Sequence, residues 1–187
     1  NIAITGVFGK DALDCVPNSS LLFEDPIEAV TETVAQIQAN EDADMIVCVS
    51  HSGTWSDPEK SEDELLAKAV PALDLIISGH THTKLDEAIQ HGDTYIVSAA
   101  EYGKYLGQLS MNQNADGRWT MDSYELVTVG EDIEADAATQ EKIDGFEAMV
   151  DSKYLEQFGF TKDQVLCTND IAFADASDTG SLHTEIN

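Results

Sequence analysis

Three short apolar runs stand out in the first half of the chain. They are Ile2–Phe8, Met45–Ser50 and Leu73–Ser78, and each contains β-branched residues. Runs of this length and composition are typical of β-strands. Met45–Ser50 has no polar residue before its last position, which predicts a strand buried on both faces of a parallel sheet.

Two amphipathic segments separate these runs. The first begins at Asp25-Pro26, where Asp25 suits the N-cap and Pro26 suits the first helical position. The second begins at Ser61, which has the spacing of a capping box with Glu64. Strands and helices therefore alternate as β-α-β-α-β. This order predicts an α/β fold with a parallel sheet and right-handed crossovers.

The pattern changes after the third strand. Lys84–Gln90 and Tyr95–Ala99 flank the turn-forming sequence His91-Gly92-Asp93-Thr94. Lys104–Met111 and Trp119–Val129 flank a segment rich in Asn, Asp and Gly. Both arrangements predict antiparallel hairpins.

The chain continues with a helical pattern and then an acidic one. Apolar residues at helical spacing predict a long helix from Asp136 to about Phe158, with Gly159 as its C-cap. The remaining residues are rich in Asp, Ser and Thr. They are interpreted as a linker.

The charge balance excludes several classes of function. Nine Lys and Arg residues oppose 36 Asp and Glu residues, which gives a formal net charge of −27. Such a chain has no cationic surface to replace phosphate counterions, so it is not expected to bind nucleic acid or an anionic membrane surface. No apolar run is long enough to insert into a membrane as a bilayer-spanning helix. A salty or extracellular habitat and a role in solubility both remain open as explanations of the acidity.

The three cysteines do not have the number or spacing of a disulfide framework. Cys48 lies inside an apolar run and is interpreted as a small buried hydrophobic residue. The sequence leaves open a bridge between Cys15 and Cys167.

Three of the five histidines follow predicted parallel strands. His51 comes directly after the second strand, and His80 and His82 come directly after the third. Ligand sites of parallel sheets lie beyond the carboxyl ends of the strands, and residues i and i+2 of an extended chain face the same side. Neutral imidazole is a common ligand of transition metals. The sequence therefore predicts a metal site formed by these three histidines.

Simpler interpretations apply to the other polar features. A single histidine at a strand end is more often a loop residue, so the metal prediction depends on two strand ends contributing together. His91 and Gly92-Asp93 fit a hairpin turn, and His183 fits a solvated acidic tail. The chain contains no P-loop, no dinucleotide-binding glycine motif and no nucleophile elbow. No pair of carboxylates is singled out as an acid and base.

Three segments together resemble a known family. IVCVSHSG (46–53), DLIISGHTHT (74–83) and AAEYGKYLGQL (99–109) are similar in order and spacing to motifs of the calcineurin-like metallophosphoesterases. The branch they resemble contains the 5′-nucleotidases and the 2′,3′-cyclic-nucleotide phosphodiesterases. The resemblance covers roughly residues 1–130. It implies a partial layered fold of the metallophosphoesterase type, with parallel βαβαβ followed by hairpins and a C-terminal helix.

The resemblance also implies roles for the histidines. His51 and His80 become ligands of one metal ion, and His82 becomes a ligand of a second. Two divalent cations of manganese, zinc, iron or cobalt are implied, and in this family they activate a hydroxide for attack on phosphorus. The implied substrate is a nucleotide or another small phosphate ester. An extracellular or cell-envelope location is expected, with a cytoplasmic one as the alternative.

The chain departs from the family in the motifs that precede these segments. The Asp-x-His, Gly-Asp and Gly-Asn-His-Asp/Glu series is absent, so catalytic residues are unassigned. Residues 1–160 therefore resemble the C-terminal part of the catalytic domain, and residues 161–187 a linker toward a second domain. The hypothesis is that the chain is a piece of a metal-dependent phosphoesterase. Alone, this piece is expected to be inactive and to self-associate through strands that are left uncovered. The alternative is a stand-alone metal-binding or inactive interaction module with a three-histidine site.

Overall fold

A computed structural model describes residues 1–16 and 18–168. The chain divides into two units, Asn1–Ile133 and a second that begins at Glu134. The elements of the first unit are β1 (Ile2–Phe8), α1 (Lys10–Asp14), α2 (Pro26–Asn40), β2 (Met45–His51), α3 (Glu62–Ala69), β3 (Leu75–Ser78), β4 (Ile89–His91), β5 (Thr94–Val97), β6 (Tyr105–Gln113) and β7 (Trp119–Thr128).

The first unit is built on a five-stranded sheet with strand order β1-β2-β3-β5-β4. Strands β1, β2, β3 and β5 are parallel, and β4 pairs antiparallel with β5 at the outer edge. The predicted βαβαβ order and the β4–β5 hairpin are confirmed. The structure adds that β5 pairs with β3 in parallel, so the parallel set has four strands. The β6–β7 hairpin forms a separate two-stranded sheet, as the sequence predicts.

Helices α2 and α3 begin where the sequence predicts, but only α2 has the predicted N-cap hydrogen bonds. Asp25 caps α2, because its side chain accepts hydrogen bonds from the backbone N–H of Ile27 at 2.9 Å and of Glu28 at 3.1 Å. Ser61 occupies the N-cap of α3, but its side chain makes no cap hydrogen bond. The predicted capping box at Ser61 and Glu64 is therefore wrong. The Ser61 hydroxyl instead accepts from the backbone N–H of Trp55, at 3.3 Å.

Two hydrophobic cores lie on opposite faces of the sheet. On one face, α2 and α3 pack against the central strands, with Val30, Leu66, Cys48, Ile76 and Ile96 all buried. Burial raises the pKa of the Cys48 thiol to about 12, so this side chain is a neutral core residue, as predicted. All three cysteines are free thiols in the structure.

The opposite face is covered only in part. Side chains of the β6–β7 hairpin pack on Met45, Val47, Leu75 and Val97. Farther along the same face, the large apolar side chains of β1 and of the strand ends are exposed. We call this region the open face, and it consists of Ile2 (62% exposed), Ile4 (69%), Phe8 (44%), Val49 (48%) and Ile77 (43%). The prediction that Met45–Ser50 is buried on both faces is therefore wrong at Val49.

The second unit contains helix α4 (Ala137–Val150), followed by a π-helical turn (Asp151–Leu155) and a 3₁₀ turn (Glu156–Phe158). Asp136 caps α4 by accepting from the backbone N–H of Thr139 at 2.8 Å, and Gly159 ends the helical run at φ +77°. These bounds confirm the predicted helix. The division into residues 1–160 and a linker at 161–187 stays a prediction. Within the described part of the chain, every helix is too short or too polar to cross a bilayer.

Candidate metal centre

Two of the predicted histidines meet at the carboxyl edge of the parallel strands. His51 is the last residue of β2, and His80 follows β3 after Gly79. The Gly79 N–H donates to the carbonyl oxygen of Ser50 at 2.9 Å, which continues the pairing of β2 and β3 beyond the end of β3. The His51 and His80 ring centroids are consequently 5.0 Å apart. This separation allows a nitrogen of each ring to bind one shared ion.

Aromatic side chains contact this pair of histidines. The Phe8 ring stacks on the His51 ring, with 5.7 Å between centroids. The edge of the Trp55 ring lies against His80, at 6.4 Å between centroids. These ring contacts limit the orientations that the two imidazoles can adopt.

His82 lies at the same edge of the sheet but has a different neighbour. Its ring is exposed and packs edge-on against Tyr102 in the loop after β5, with 5.4 Å between centroids. The structure thus pairs His51 with His80 and places His82 beside the next loop. The predicted assignment of His82 to a second ion is not tested by this contact. The identity of all three histidines as metal ligands stays a prediction.

The loops that carry these side chains are conformationally strained. Four residues other than glycine have positive φ, namely His80 (74°), His82 (55°), Ala100 (60°) and Tyr102 (57°). All of them follow β3 or β5 at the same edge of the sheet. Each such residue costs of order 1–3 kcal/mol, and strain of this kind concentrates at functional sites.

A network of threonine and serine hydroxyls holds the strained loops in place. The Thr81 hydroxyl accepts from the Thr54 N–H at 3.2 Å and lies 2.9 Å from the Thr83 hydroxyl. The Thr83 carbonyl oxygen in turn accepts from the Ser98 hydroxyl at 2.7 Å and from the Ala100 N–H at 3.1 Å. The loops after β2, β3 and β5 are therefore linked to one another.

Asp63, at the start of α3, joins the ends of β2 and β3 beneath the histidines. Its carboxylate accepts from the hydroxyls of Ser50 and Ser78, each at 2.5 Å, and from the Gly53 N–H at 3.1 Å. The residue is fully buried. Removal from water raises the pKa of this carboxyl, and the hydrogen bonds from Ser50, Ser78 and Gly53 oppose that rise.

Asp11 contacts the site from the first turn of α1. Its Oδ2 lies 2.8 Å from Nε2 of His80. Sequence reasoning missed both Asp11 and Asp63, because neither is part of a recognisable motif. The sequence did contain a signal for a buried carboxylate between the strand ends. Ser50 directly precedes His51, and Ser78 directly precedes Gly79.

Of the other two histidines, the structure describes only His91, which is not part of this site. His91 ends β4 at the opposite edge of the sheet, beside the turn at Gly92, as predicted. Its Nε2 lies 2.7 Å from Oε2 of the buried Glu64, a contact that links β4 to α3. His183 lies outside the described residues.

Comparison with known proteins relates the chain to nucleotide phosphoesterases. It is 31% identical to the trifunctional nucleotide phosphoesterase YfkN of Bacillus subtilis over 166 residues, which are 86% of this chain and 11% of that protein. It is 32% identical to the 5′-nucleotidase of Vibrio cholerae, over 72% of this chain and 29% of that protein. No family model matches the chain.

Solved structures agree in fold. A 5′-nucleotidase precursor from Thermus thermophilus superposes with a TM-score of 0.59 at 23% identity, covering 72% of this chain and 29% of that one. A putative 5′-nucleotidase from Staphylococcus aureus gives a TM-score of 0.59 at 19% identity, covering 80% and 32%. The chain is a relative of the calcineurin-like metallophosphoesterases, in their 5′-nucleotidase branch.

This similarity agrees with the residues at the carboxyl edge of the sheet. Metallophosphoesterases depend on divalent metal ions, and the structure places the His51 and His80 imidazoles side by side at this edge. The chain spans less than a third of the length of the two curated relatives quoted above.

Proposed function

We propose that this chain is part of a metal-dependent phosphoesterase that hydrolyses nucleotide phosphate esters. The observation that carries the proposal is the contact between His51 and His80 at the carboxyl edge of a parallel sheet. Its support from comparison is the 31–32% identity to proteins named as nucleotide phosphoesterase and 5′-nucleotidase.

In this proposal His51 and His80 hold one divalent cation and His82 contributes to a second. The donor set fits a transition metal such as manganese, zinc, iron or cobalt, because neutral imidazole suits these ions. Two such ions supply an activated water and stabilise the charge that develops at phosphorus. The chain's own part is to hold His51 at the end of β2 and His80 and His82 in the strained loop after β3.

The 187-residue chain by itself is proposed to be inactive. Three neutral imidazoles bring no negative charge to balance two dications. The histidine set also includes no carboxylate that could bridge the ions at the spacing of about 3.5–4 Å that two-metal chemistry uses. The remaining ligands would come from a longer polypeptide that carries Asp-x-His, Gly-Asp and Gly-Asn-His motifs ahead of these segments.

The test is a metal-supplemented assay on nucleoside monophosphates and cyclic nucleotides. It compares this chain, a longer polypeptide with the preceding motifs, and His80→Ala in the longer polypeptide. We expect turnover by the longer polypeptide alone, and a loss with His80→Ala of at least the roughly 10–100-fold typical of outer-shell partners of a metal ligand. The matched control, His183→Ala, should leave the rate unchanged.

Two outcomes would contradict the proposal. Chelator-sensitive turnover by this chain alone would show that the site is complete without further ligands. Metal binding by a longer polypeptide that never hydrolyses a phosphate ester would favour the alternative, a metal-binding or interaction module with a three-histidine site.

The proposal includes a location and a mode of assembly. An extracellular or cell-envelope location is supported by the description of the Thermus thermophilus relative as a precursor, and a cytoplasmic location is the alternative. Self-association of this chain is supported by the open face, which leaves five large apolar side chains exposed.

A further inference from the structure

Three side chains of different chemistry converge at α1 and the loop after β3. Asp11, Cys15 and His80 each offer one ligand atom, and these atoms all lie within 4.8 Å of one another. Only one of the three, His80, belongs to the histidine set of the proposed phosphoesterase site. The other two are brought to it by α1.

Two of the ligands lie along α1, with Asp11 inside the helix and Cys15 at its C-cap. Asp11 and Cys15 are four residues apart, the spacing that aligns side chains along a helix. The helix is fixed at its start, because the Gly9 N–H donates to the His51 carbonyl oxygen at 3.2 Å. The Glu62 carboxylate also accepts from the N–H groups of Lys10, at 2.9 Å, and of Asp11, at 3.0 Å.

His80 faces this helix with a defined nitrogen. Its Nε2 lies 2.8 Å from the Asp11 carboxylate, and its side chain is only 15% exposed. Asp11 and Cys15 lie on the solvent side of the group. A cation can therefore enter past the carboxylate and the thiol and reach the partly buried imidazole.

The donor chemistry selects the kind of ion. We propose that Asp11, Cys15 and His80 bind a thiophilic divalent cation such as zinc. A thiolate, a carboxylate and an imidazole are all zinc ligands, and three protein ligands leave a fourth, open position. The two anionic ligands balance the charge of the ion, which the neutral set His51, His80 and His82 does not. Magnesium and calcium prefer oxygen ligands and are not expected to bind here.

The site shares the His80 side chain with the proposed phosphoesterase site. It uses Nε2, the nitrogen of His80 that lies 2.8 Å from the Asp11 carboxylate. The proposal does not rest on hydrolysis of phosphate esters. A metal-binding measurement on this chain alone tests it, whatever the result of the nucleotidase assay.

The experiment is a titration of the full chain with cobalt(II), under anaerobic conditions with a thiol-free reductant. A cobalt–thiolate bond gives a near-ultraviolet charge-transfer band, whereas a cobalt–imidazole bond does not. We expect a one-to-one band that zinc abolishes and magnesium leaves unchanged. Cys15→Ser should eliminate the band, and the matched control Cys167→Ser should retain it. Asp11→Asn should weaken binding by roughly tenfold or more.

The variants are chosen to keep the result clear. Cys15 and Asp11 are exposed, so their replacement should leave the fold intact, which circular dichroism of each variant checks. Absence of the band in the unmodified chain would overturn the proposal. A band that survives Cys15→Ser would overturn it as well, because the thiolate would then belong to another cysteine. Either result would mean that Asp11 and His80 form a hydrogen bond and do not share a metal ion with Cys15.

Discussion

Asp63 shows how one buried residue can fix a functional edge. The side chain has no exposure to water, and three donors converge on it from Ser50, Ser78 and Gly53. A buried carboxylate is costly unless such donors satisfy it. In return, the ends of β2 and β3 are connected through one residue of α3, directly below the backbone that carries His51 and His80.

Replacing Asp63 by alanine should destabilise the first unit. The substitution leaves the Gly53 N–H and two buried hydroxyls without their acceptor, and an unsatisfied buried group costs about 1–3 kcal/mol. The measurement is the free energy of unfolding in urea at neutral pH. Glu32→Ala, at an exposed position of α2, is the control and should change stability little. Equal stabilities of the two variants would mean that the serine hydroxyls find other acceptors.

The raised pKa of Asp63 also predicts a pH dependence. In the folded state burial favours the protonated carboxyl, whereas in the unfolded chain an Asp titrates near about 3.9. The folded state therefore binds the extra proton above that pH, and its stability falls as pH rises through the window up to the raised pKa. Asp63→Asn, which cannot titrate, lacks this contribution.

The difference in unfolding free energy between the unmodified chain and Asp63→Asn isolates this effect. We expect the unmodified chain to lose stability relative to the variant as pH rises above about 4. The other carboxylates titrate in both proteins and cancel. A difference that grows in favour of the unmodified chain with rising pH would mean that hydrogen bonding outweighs desolvation.

Single residues also mark the limit of prediction from the sequence. His51, His80 and His82 were identifiable because parallel strands end directly before them, and the structure places all three at one edge of the sheet. Asp11 was not identifiable, because its contact with His80 spans 69 positions. Asp63 was hidden for a similar reason, since it precedes the apolar stripe of α3 and resembles an ordinary acidic residue at a helix start.

Among the structural elements, the loop after β2 depends on a glycine at position 53. Gly53 has φ +97°, and an added Cβ would lie 2.4 Å from Cγ2 of Thr81. Thr81 cannot turn away freely, because its hydroxyl is bonded to the Thr54 N–H and to the Thr83 hydroxyl. The packing of the loops after β2 and β3 therefore requires a residue without a side chain at position 53.

A pair of glycine substitutions separates this packing from backbone strain. Gly53→Ala and Gly117→Ala both place alanine at positive φ, a cost of roughly 1–2 kcal/mol, but the space around Gly117 is open. We expect Gly53→Ala to lower stability further, by about 1–3 kcal/mol of overpacking. Thermal unfolding of both variants measures the difference. Similar melting temperatures would show that Thr81 adapts without cost.

The elements themselves followed from local pattern, but their partners did not. The bounds of β1, of the β6–β7 hairpin and of α4 lie close to those predicted, because hydrophobic period and capping residues are local properties. The sequence of the β4–β5 hairpin predicts only that these two strands pair across their turn. It does not predict that β5 also pairs with β3 in parallel, because that pairing depends on how the crossover after β3 packs. Apolar content likewise could not show how much of β2 the β6–β7 hairpin covers.

For the molecule as a whole, the open face and the net charge act in opposite directions. Ile2, Ile4 and Val49 lie on one side of the sheet, and β1 is an edge strand with one row of backbone groups unpaired. Exposed apolar faces and edges of this kind promote association. The formal charge of −27 opposes it through mutual repulsion, which salt screens beyond about 8–10 Å at physiological ionic strength.

Replacing Ile4 by lysine should therefore weaken self-association of the chain. We expect the unmodified chain to form dimers or larger species whose population rises with protein concentration and with salt, as measured by sedimentation velocity. Burying one isoleucine contributes about 1.5–3 kcal/mol, so its loss should raise the dissociation constant at least roughly tenfold. Leu106→Lys is the matched control, because Leu106 of β6 is similarly exposed, at 63%, and lies outside the open face. Both variants reduce the negative charge equally, a change that by itself favours association, so a decrease confined to Ile4→Lys identifies the face. A monomer at every concentration and salt level would show that five exposed apolar side chains are not enough to hold two copies together.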